Sequence, residues 1–131
     1  DLFSKTIPTG IKHGTVTVVI DKENFEVTTY RTEGNYIDNR HPEKVEFVSD
    51  IKKDLSRRDF TINAFAYNDK EGLVDYFNGI DDLQNKVIRA VGDPHKRFNE
   101  DALRMLRAIR FSAQLGFTID TSKIMFSLSR I

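Results

Sequence analysis

Two short apolar-rich segments, Thr15–Ile20 and residues 25–30, concentrate Val, Thr, Ile and aromatic side chains, and the polar run Asp21-Lys22-Glu23-Asn24 lies between them. Such residues suit a pleated, half-buried surface, so the pattern predicts an antiparallel hairpin. Upstream, residues 6–14 hold Pro8, Gly10 and Gly14 and read as a loop feeding the first strand. Residues 32–42 are polar and aperiodic and read as an exposed, mobile loop. Ser49 is placed to cap a helix over 50–56. Residues 58–67, with Phe60, Ile62, Ala64, Phe65 and Ala66, read as a buried helix. Beyond Gly72 the pattern gives a strand at 73–77, a short helix at 80–85 and a strand at 87–91. Gly92-Asp93-Pro94 breaks that strand, and a helical turn then leads into a longer helix that Gly116 ends.

That last helix carries the most pointed polar pattern in the chain. Asp101, Arg104, Arg107 and Arg110 recur at intervals of three residues, which at about 100° per residue forms a drifting ridge. Ala102, Met105, Leu106, Ile109 and Ala113 fall on the other side and are expected to anchor the helix in a core. Lysine, equally good for solubility, is absent from the ridge. Arginine is the residue whose planar fork meets phosphates and base edges, so the ridge suits a small polyanion. A solvated helix face is the plain alternative, and Glu100 and Asp101 also satisfy the dipole of a helix start.

Composition narrows the chemistry. The 131 residues correspond to one domain by length and contain no cysteine, which excludes disulfides, thiolate metal sites and cysteine nucleophiles. Twenty Lys and Arg balance twenty Asp and Glu, so any contact with nucleic acid must be local rather than driven by a basic field. No apolar run approaches the roughly 18 residues of a membrane span and no signal peptide is visible, so a soluble protein is expected. Serine-elbow, zinc-helix and P-loop motifs are missing.

Two other clusters bear on chemistry. In the second strand Glu26, Thr28 and Tyr30 share one face and Phe25, Val27 and Thr29 the other. Glu26 is a candidate ligand for a divalent cation, although one carboxylate does not define a magnesium site. Arg57-Arg58-Asp59 precedes the apolar residues that begin at Phe60. A phosphate can rest there, or Asp59 complements a helix start while the arginines are solvated. His13, His41 and His95 are too scattered to suggest a metal cluster.

Taken together, Glu26-Val27-Thr28-Thr29-Tyr30-Arg31, Arg57-Arg58-Asp59-Phe60-Thr61-Ile62-Asn63-Ala64, Asp75-Tyr76-Phe77-Asn78-Gly79-Ile80-Asp81-Asp82-Leu83 and Glu100-Asp101-Ala102-Leu103-Arg104 closely resemble the class II tRNA nucleotidyltransferases, the bacterial CCA-adding enzymes and related poly(A) polymerases. The resemblance runs from about Pro8 to Thr121. It implies an α+β fold: a partial polymerase-β-like nucleotidyltransferase head, with an antiparallel or mixed sheet and helices, over residues 1–92, then the start of an all-helical neck over 93–131. It implies nucleotidyl transfer with Mg2+, CTP and ATP as substrates, the tRNA 3′ end as partner and a cytoplasmic location. By resemblance Glu26 is the carboxylate accompanying a metal-binding pair, Arg58 contacts the incoming nucleotide, and Asp59 supports ribose or loop geometry. Asp101 and Arg104 face the base, while Arg107 and Arg110 assist nucleotide and phosphate binding.

Base selection has its own chemical logic. Cytosine and adenine each present an amino donor beside a ring-nitrogen acceptor, and uracil and guanine present a carbonyl and N–H there. Asp101 accepting and Arg104 donating would admit C and A. A mismatched buried polar group costs about 1–3 kcal/mol, so each contact discriminates roughly tenfold or more. The family's glycine-rich entry motif and Asp-x-Asp metal pair lie upstream of Glu26, where this sequence has neither, so the chain alone is expected to be inactive. Residues 122–131 depart from the family pattern, and a fragment is expected. Addition of only CC, only A or poly(A) is the nearest alternative activity. A non-catalytic nucleotide- or RNA-binding module is the alternative of a different class.

Overall fold

The computed structural model describes residues 2–34 and 45–122. Strands β1 (Thr6–Gly10), β2 (Thr15–Ile20) and β3 (Glu23–Thr28) form an antiparallel sheet in that order. The predicted hairpin is present but tighter. Its turn is the pair Asp21 and Lys22, both at positive φ (50° and 70°), the signature of a two-residue primed turn whose twist matches the strands. Glu23 and Asn24, expected in the turn, pair with Ile20 and Val19 instead.

The loop expected over 6–14 is a strand followed by a 3₁₀ turn, Ile11–His13. Pro8 is tolerated because β1 lies at the sheet edge, where its missing N–H breaks no ladder, and the register shifts between Ile7 and Gly10. Gly14 closes the turn at φ 72° beneath the ring of Phe47, which a Cβ would approach to 2.5 Å. Strands β4 (Arg31–Glu33) and β5 (Val45–Phe47) pair antiparallel, so the predicted loop at 32–42 begins inside a strand. Its residues 35–42 lie outside the described residues. Helix α1 (Ile51–Ser56) is capped by Asp50, whose carboxylate accepts the Lys52 amide at 2.8 Å, rather than by Ser49.

The helix expected over 58–67 does not form. Phe60 bridges Ala90, Thr61–Asn63 is a 3₁₀ turn, and β6 (Phe65–Asn68) pairs antiparallel with β7 (Gly72–Asp75). Backbone groups that a helix would need are engaged across the fold, since the Thr61 amide donates to Arg89 O at 2.9 Å and Asp59 O accepts the Val91 amide at 3.0 Å. Phe60, Ile62 and Ala64 are all buried at a spacing of two. Thr61 between them is buried as well, so the run keeps neither a helical nor a strict strand period and is short enough to read either way.

Asp75 ends β7 and starts α2 (Gly79–Gln84), its carboxylate accepting the amides of Phe77 (3.2 Å), Gly79 (2.9 Å) and Ile80 (2.9 Å). Strand β8 (Val87–Ile88) pairs parallel with β9 (Thr118–Ile119). The crossover between them is α3 (Pro94–Glu100), capped by Asp93, and α4 (Leu103–Leu115), ended by Gly116 at φ 66°. One core cluster joins Phe60, Ile62, Ile88, Ala90, Phe98 and Ala108, and a second joins Leu55, Ala64 and Val91. The first crosses the 92/93 boundary expected from resemblance, so head and crossover helices share packing.

The core-facing side of α4 is the reverse of the expected one. Arg104 and Ala108 are buried, whereas Leu106 and Ile109 are 63% and 60% exposed and Ala102 and Ala113 are exposed as well. Of the predicted anchors Met105 packs on the core. Burial of Arg104 is tolerated because its guanidinium donates to Glu100 (2.8 Å), Arg97 O (3.1 Å) and Arg57 O (3.2 Å), which removes the penalty of an unpaired buried charge.

Candidate nucleotide-binding cleft

An open cleft of about 720 Å3 lies where the β2–β3 sheet, the β4–β5 hairpin, the end of α1 and the start of α4 meet. The sheet contributes Thr15 and Thr28, neighbours across the ladder whose hydroxyls hydrogen-bond at 3.0 Å, with His13 beside them. Strands β4 and β5 contribute Arg31, Glu33 and Val45. The segment after α1 contributes Arg57, Arg58, Asp59 and Asn63, and the α3–α4 junction contributes Asp101, Arg104 and Arg107. Five arginines face three carboxylates, so a chain of zero net charge carries a locally cationic cleft. This is the field an anion needs.

The arginines differ in how firmly they are held. Arg57 donates to Arg31 O at 3.0 Å, to Asp54 at 2.9 and 3.3 Å and to Glu33 at 3.2 Å. Arg58 makes two long contacts of 3.4 Å, to Asp54 and to Asn63 O. Arg107 donates to Asp59 at 2.6 Å and lies 5.0 Å from the centre of the Phe111 ring. Asp59 also accepts its neighbour's amide, from Phe60, at 2.9 Å. Burial alone would push the Asp54 carboxyl up, but the Arg31 amide and the Arg57 and Arg58 guanidiniums hold it below the ordinary carboxylate value.

Asp101 is not on a helix. It stands at the break between α3 and α4 with extended backbone, and its carboxylate accepts the Leu103 amide at 2.9 Å. The predicted ridge is therefore split, with an acceptor at the head of α4 and donors along its first turns. Of the seven candidate residues, the cleft brings together Arg58, Asp59, Asp101, Arg104 and Arg107. Two are elsewhere. Arg110 is exposed and sits 5.1 Å from the Phe111 ring. Glu26 is exposed on β3 opposite Thr17 and is not part of the cleft lining. It shares a strand face with Thr28, two residues and about 7 Å away.

Arg31, Glu33 and Asn63 line the cleft although the sequence does not single them out, and Arg57, read from sequence only as part of a phosphate-binding run, lines it too. Arg31, Arg57 and Asn63 stand in the quoted sequence motifs, and that adjacency is the available signal. Glu33 becomes visible as a cleft residue only once β4 is placed against α1. Among the described residues no group of three or more His, Asp or Glu side chains is arranged to hold a metal, and Glu26 is a single carboxylate. No described helix is long and apolar enough to cross a membrane.

The poly(A) polymerase head domain matches residues 1–89. A CCA-adding enzyme from Pediococcus pentosaceus is 57% identical over 123 residues, covering 94% of this chain and 31% of that protein. The crystal structure of the Bacillus stearothermophilus CCA-adding enzyme in complex with CTP aligns with a TM-score of 0.79 at 46% identity, over 89% of this chain and 27% of the other. A tRNA nucleotidyltransferase complexed with a primer tRNA and an incoming ATP analog aligns with a TM-score of 0.72 at 38% identity, over 92% and 32%. The chain thus spans under a third of the length of each.

Proposed function

The chain belongs to the poly(A) polymerase head-domain family, and from that membership we propose that it is the nucleotide-selecting part of a template-independent tRNA nucleotidyltransferase. The whole enzyme adds C and A to the tRNA 3′ end from CTP and ATP and releases pyrophosphate. The observation that carries this reading is the meeting of Asp101 and Arg104 with Arg58, Asp59 and Arg107 around one cationic cleft. Relatives named for CCA addition, and solved neighbours holding CTP or an ATP analog with primer tRNA, support it.

Within that cleft Arg58 is assigned to the incoming nucleotide's phosphates and Arg107 assists it. Asp59 supports the loop, being bonded to Arg107 and to the Phe60 amide. Asp101 accepts from the amino group of cytosine or adenine. Arg104 donates to the ring nitrogen beside it, its guanidinium plane set beforehand by Glu100 and two carbonyl oxygens. Uracil and guanine meet an acceptor against an acceptor. Arg110, outside the cleft lining, is assigned no direct contact.

Mg2+ supplies activation of the 3′ hydroxyl and neutralises the leaving pyrophosphate in this reaction class. The described residues do not fit it: no group of three or more His, Asp or Glu side chains among them is arranged to hold a metal, and the chain contains no Asp-x-Asp. No step is therefore derived through the metal, and the 131-residue chain by itself is expected to bind nucleotide without transferring it. A cytoplasmic location follows from the proposed substrates.

The test uses a full-length enzyme carrying this chain, a tRNA lacking its terminal CCA, and the four nucleoside triphosphates supplied singly and together. Incorporation of C and A in order, with U and G at least tenfold slower, is expected. Comparable incorporation of U and G would overturn the roles of Asp101 and Arg104. Runs of A on any RNA end would point to poly(A) synthesis instead.

A further inference from the structure

Adjacent arginines in one loop ordinarily share an environment, yet Arg57 and Arg58 do not. The Arg57 side chain is 18% exposed and holds three different acceptor groups, and the Arg58 side chain is 44% exposed and held by two long contacts. One carboxylate stands between them. Asp54 is buried on α1 behind the cleft and does not line it. Its Oδ1 accepts the Arg31 amide at 3.0 Å and the Arg57 guanidinium at 2.9 Å, while its Oδ2 accepts from Arg58 Nη2 at 3.4 Å.

We propose that Asp54 is a positioning residue that divides the work of the two arginines, fixing Arg57 in the frame and aiming Arg58 at the phosphates of the bound nucleotide. The proposal rests on the nucleotide reading of the cleft. A purely structural anchor would need only Oδ1, which ties α1 to β4 and to Arg57. Oδ2 adds nothing to that tie. It orients a guanidinium whose five donors are otherwise met, among the described residues, by one long contact to a carbonyl. The arrangement offsets repulsion between two neighbouring cations and leaves Arg58 directed but unsaturated, the state in which a charged donor gains most from an arriving phosphate. Arg57, with each of its three guanidinium nitrogens already bonded, has less left to offer.

The experiment is a calorimetric titration of CTP into the 131-residue chain, with melting curves, for wild type, Asp54→Asn, Arg58→Ala and the double variant. Asp54→Asn is expected to weaken CTP binding about tenfold, and the double variant to bind no more weakly than Arg58→Ala alone, because Arg58 is the route by which Asp54 acts. Asp54→Glu, which keeps the charge, should recover part of the affinity, and it carries the same cycle if Asp54→Asn fails to fold. Multiplying losses in the double variant, or a lower melting temperature with unchanged affinity, would overturn the proposal while leaving the nucleotide reading intact. Failure of the wild-type chain to bind CTP would overturn both.

Discussion

The two walls of the cleft are built to different standards. Its arginine wall stands on elements whose apolar faces form both core clusters, with Phe60, Leu55, Ala64, Ile88 and Val91 almost wholly buried beneath it. Its threonine wall belongs to a sheet in which every residue of β3 is exposed. On the reverse face of that strand Phe25 and Val27 are 47% and 51% exposed, and Val18 is the sheet's one member of the buried apolar set. The groups proposed to meet an anion are therefore rooted in the chain's own core. The strand carrying Glu26 has far less packing to hold it in place.

The largest effect should come from cutting into the better-built wall. Phe60, 1% exposed and edge-on to Phe111 at 5.8 Å between ring centres, should cost about 3–5 kcal/mol when replaced by alanine. Phe25→Ala, on the other wall, should cost under about 1 kcal/mol, since half its surface already meets water. Urea denaturation followed by far-UV circular dichroism measures both. Equal losses would mean that the hairpin has a core of its own and that the contrast between the walls is wrong.

How much of this could be read from the residues alone depends on what sets each feature. The β2–β3 hairpin, the cap at Gly116 and the convergence on one cleft of Arg58, Asp59, Asp101, Arg104 and Arg107 follow local rules or linked motifs, and the structure has all of them. Features set by distant backbone partners are not legible in the local pattern. Residues 58–67 appear helical until Arg89 O and the Val91 amide claim their hydrogen bonds, and β1 appears to be loop until β2 lies beside it. The buried side of α4 was inverted for a related reason. A hydrophobicity pattern treats Arg104 as a solvent-facing charge, and the carbonyls of Arg57 and Arg97 together with Glu100 allow its burial.

A smaller effect should appear in acid, and it sharpens the comparison because both groups concerned serve the better-built side. Burial tends to raise the Asp75 carboxyl, but the amides of Ile80, Gly79, Phe77 and Asn78 bring it below its ordinary value near 3.8. Asp54 is shifted the same way. A depressed folded-state value means that the stabilisation is complete above the unfolded value and is lost as pH falls through the folded one. Unfolding free energy should therefore drop progressively below about pH 4. Asp75→Asn should remove about 1 kcal/mol at neutral pH, as losing a helix cap does, and should flatten the acid limb. An unchanged acid limb in that variant, read from urea titrations between pH 2 and 7, would show that Asp75 does not hold the start of α2.

The finest contrast lies within α4 itself, between Arg107 and Arg110. Both guanidiniums stand about 5 Å from the same Phe111 ring, so ring contact does not distinguish them. Asp59 does. It draws Arg107 to 2.6 Å and into the cleft lining, whereas Arg110 remains exposed with the ring as its described partner. Arg107→Ala should weaken CTP binding to the chain about tenfold. Arg110→Ala should leave affinity within about twofold and lower stability by no more than about 0.5–1 kcal/mol, the worth of an exposed cation–π contact. Equal weakening by the two substitutions would mean that the anion's path runs past Asp59 along the outer face of α4. The boundary of the cleft would then be set by the periodicity of the arginines rather than by which of them a carboxylate turns inward.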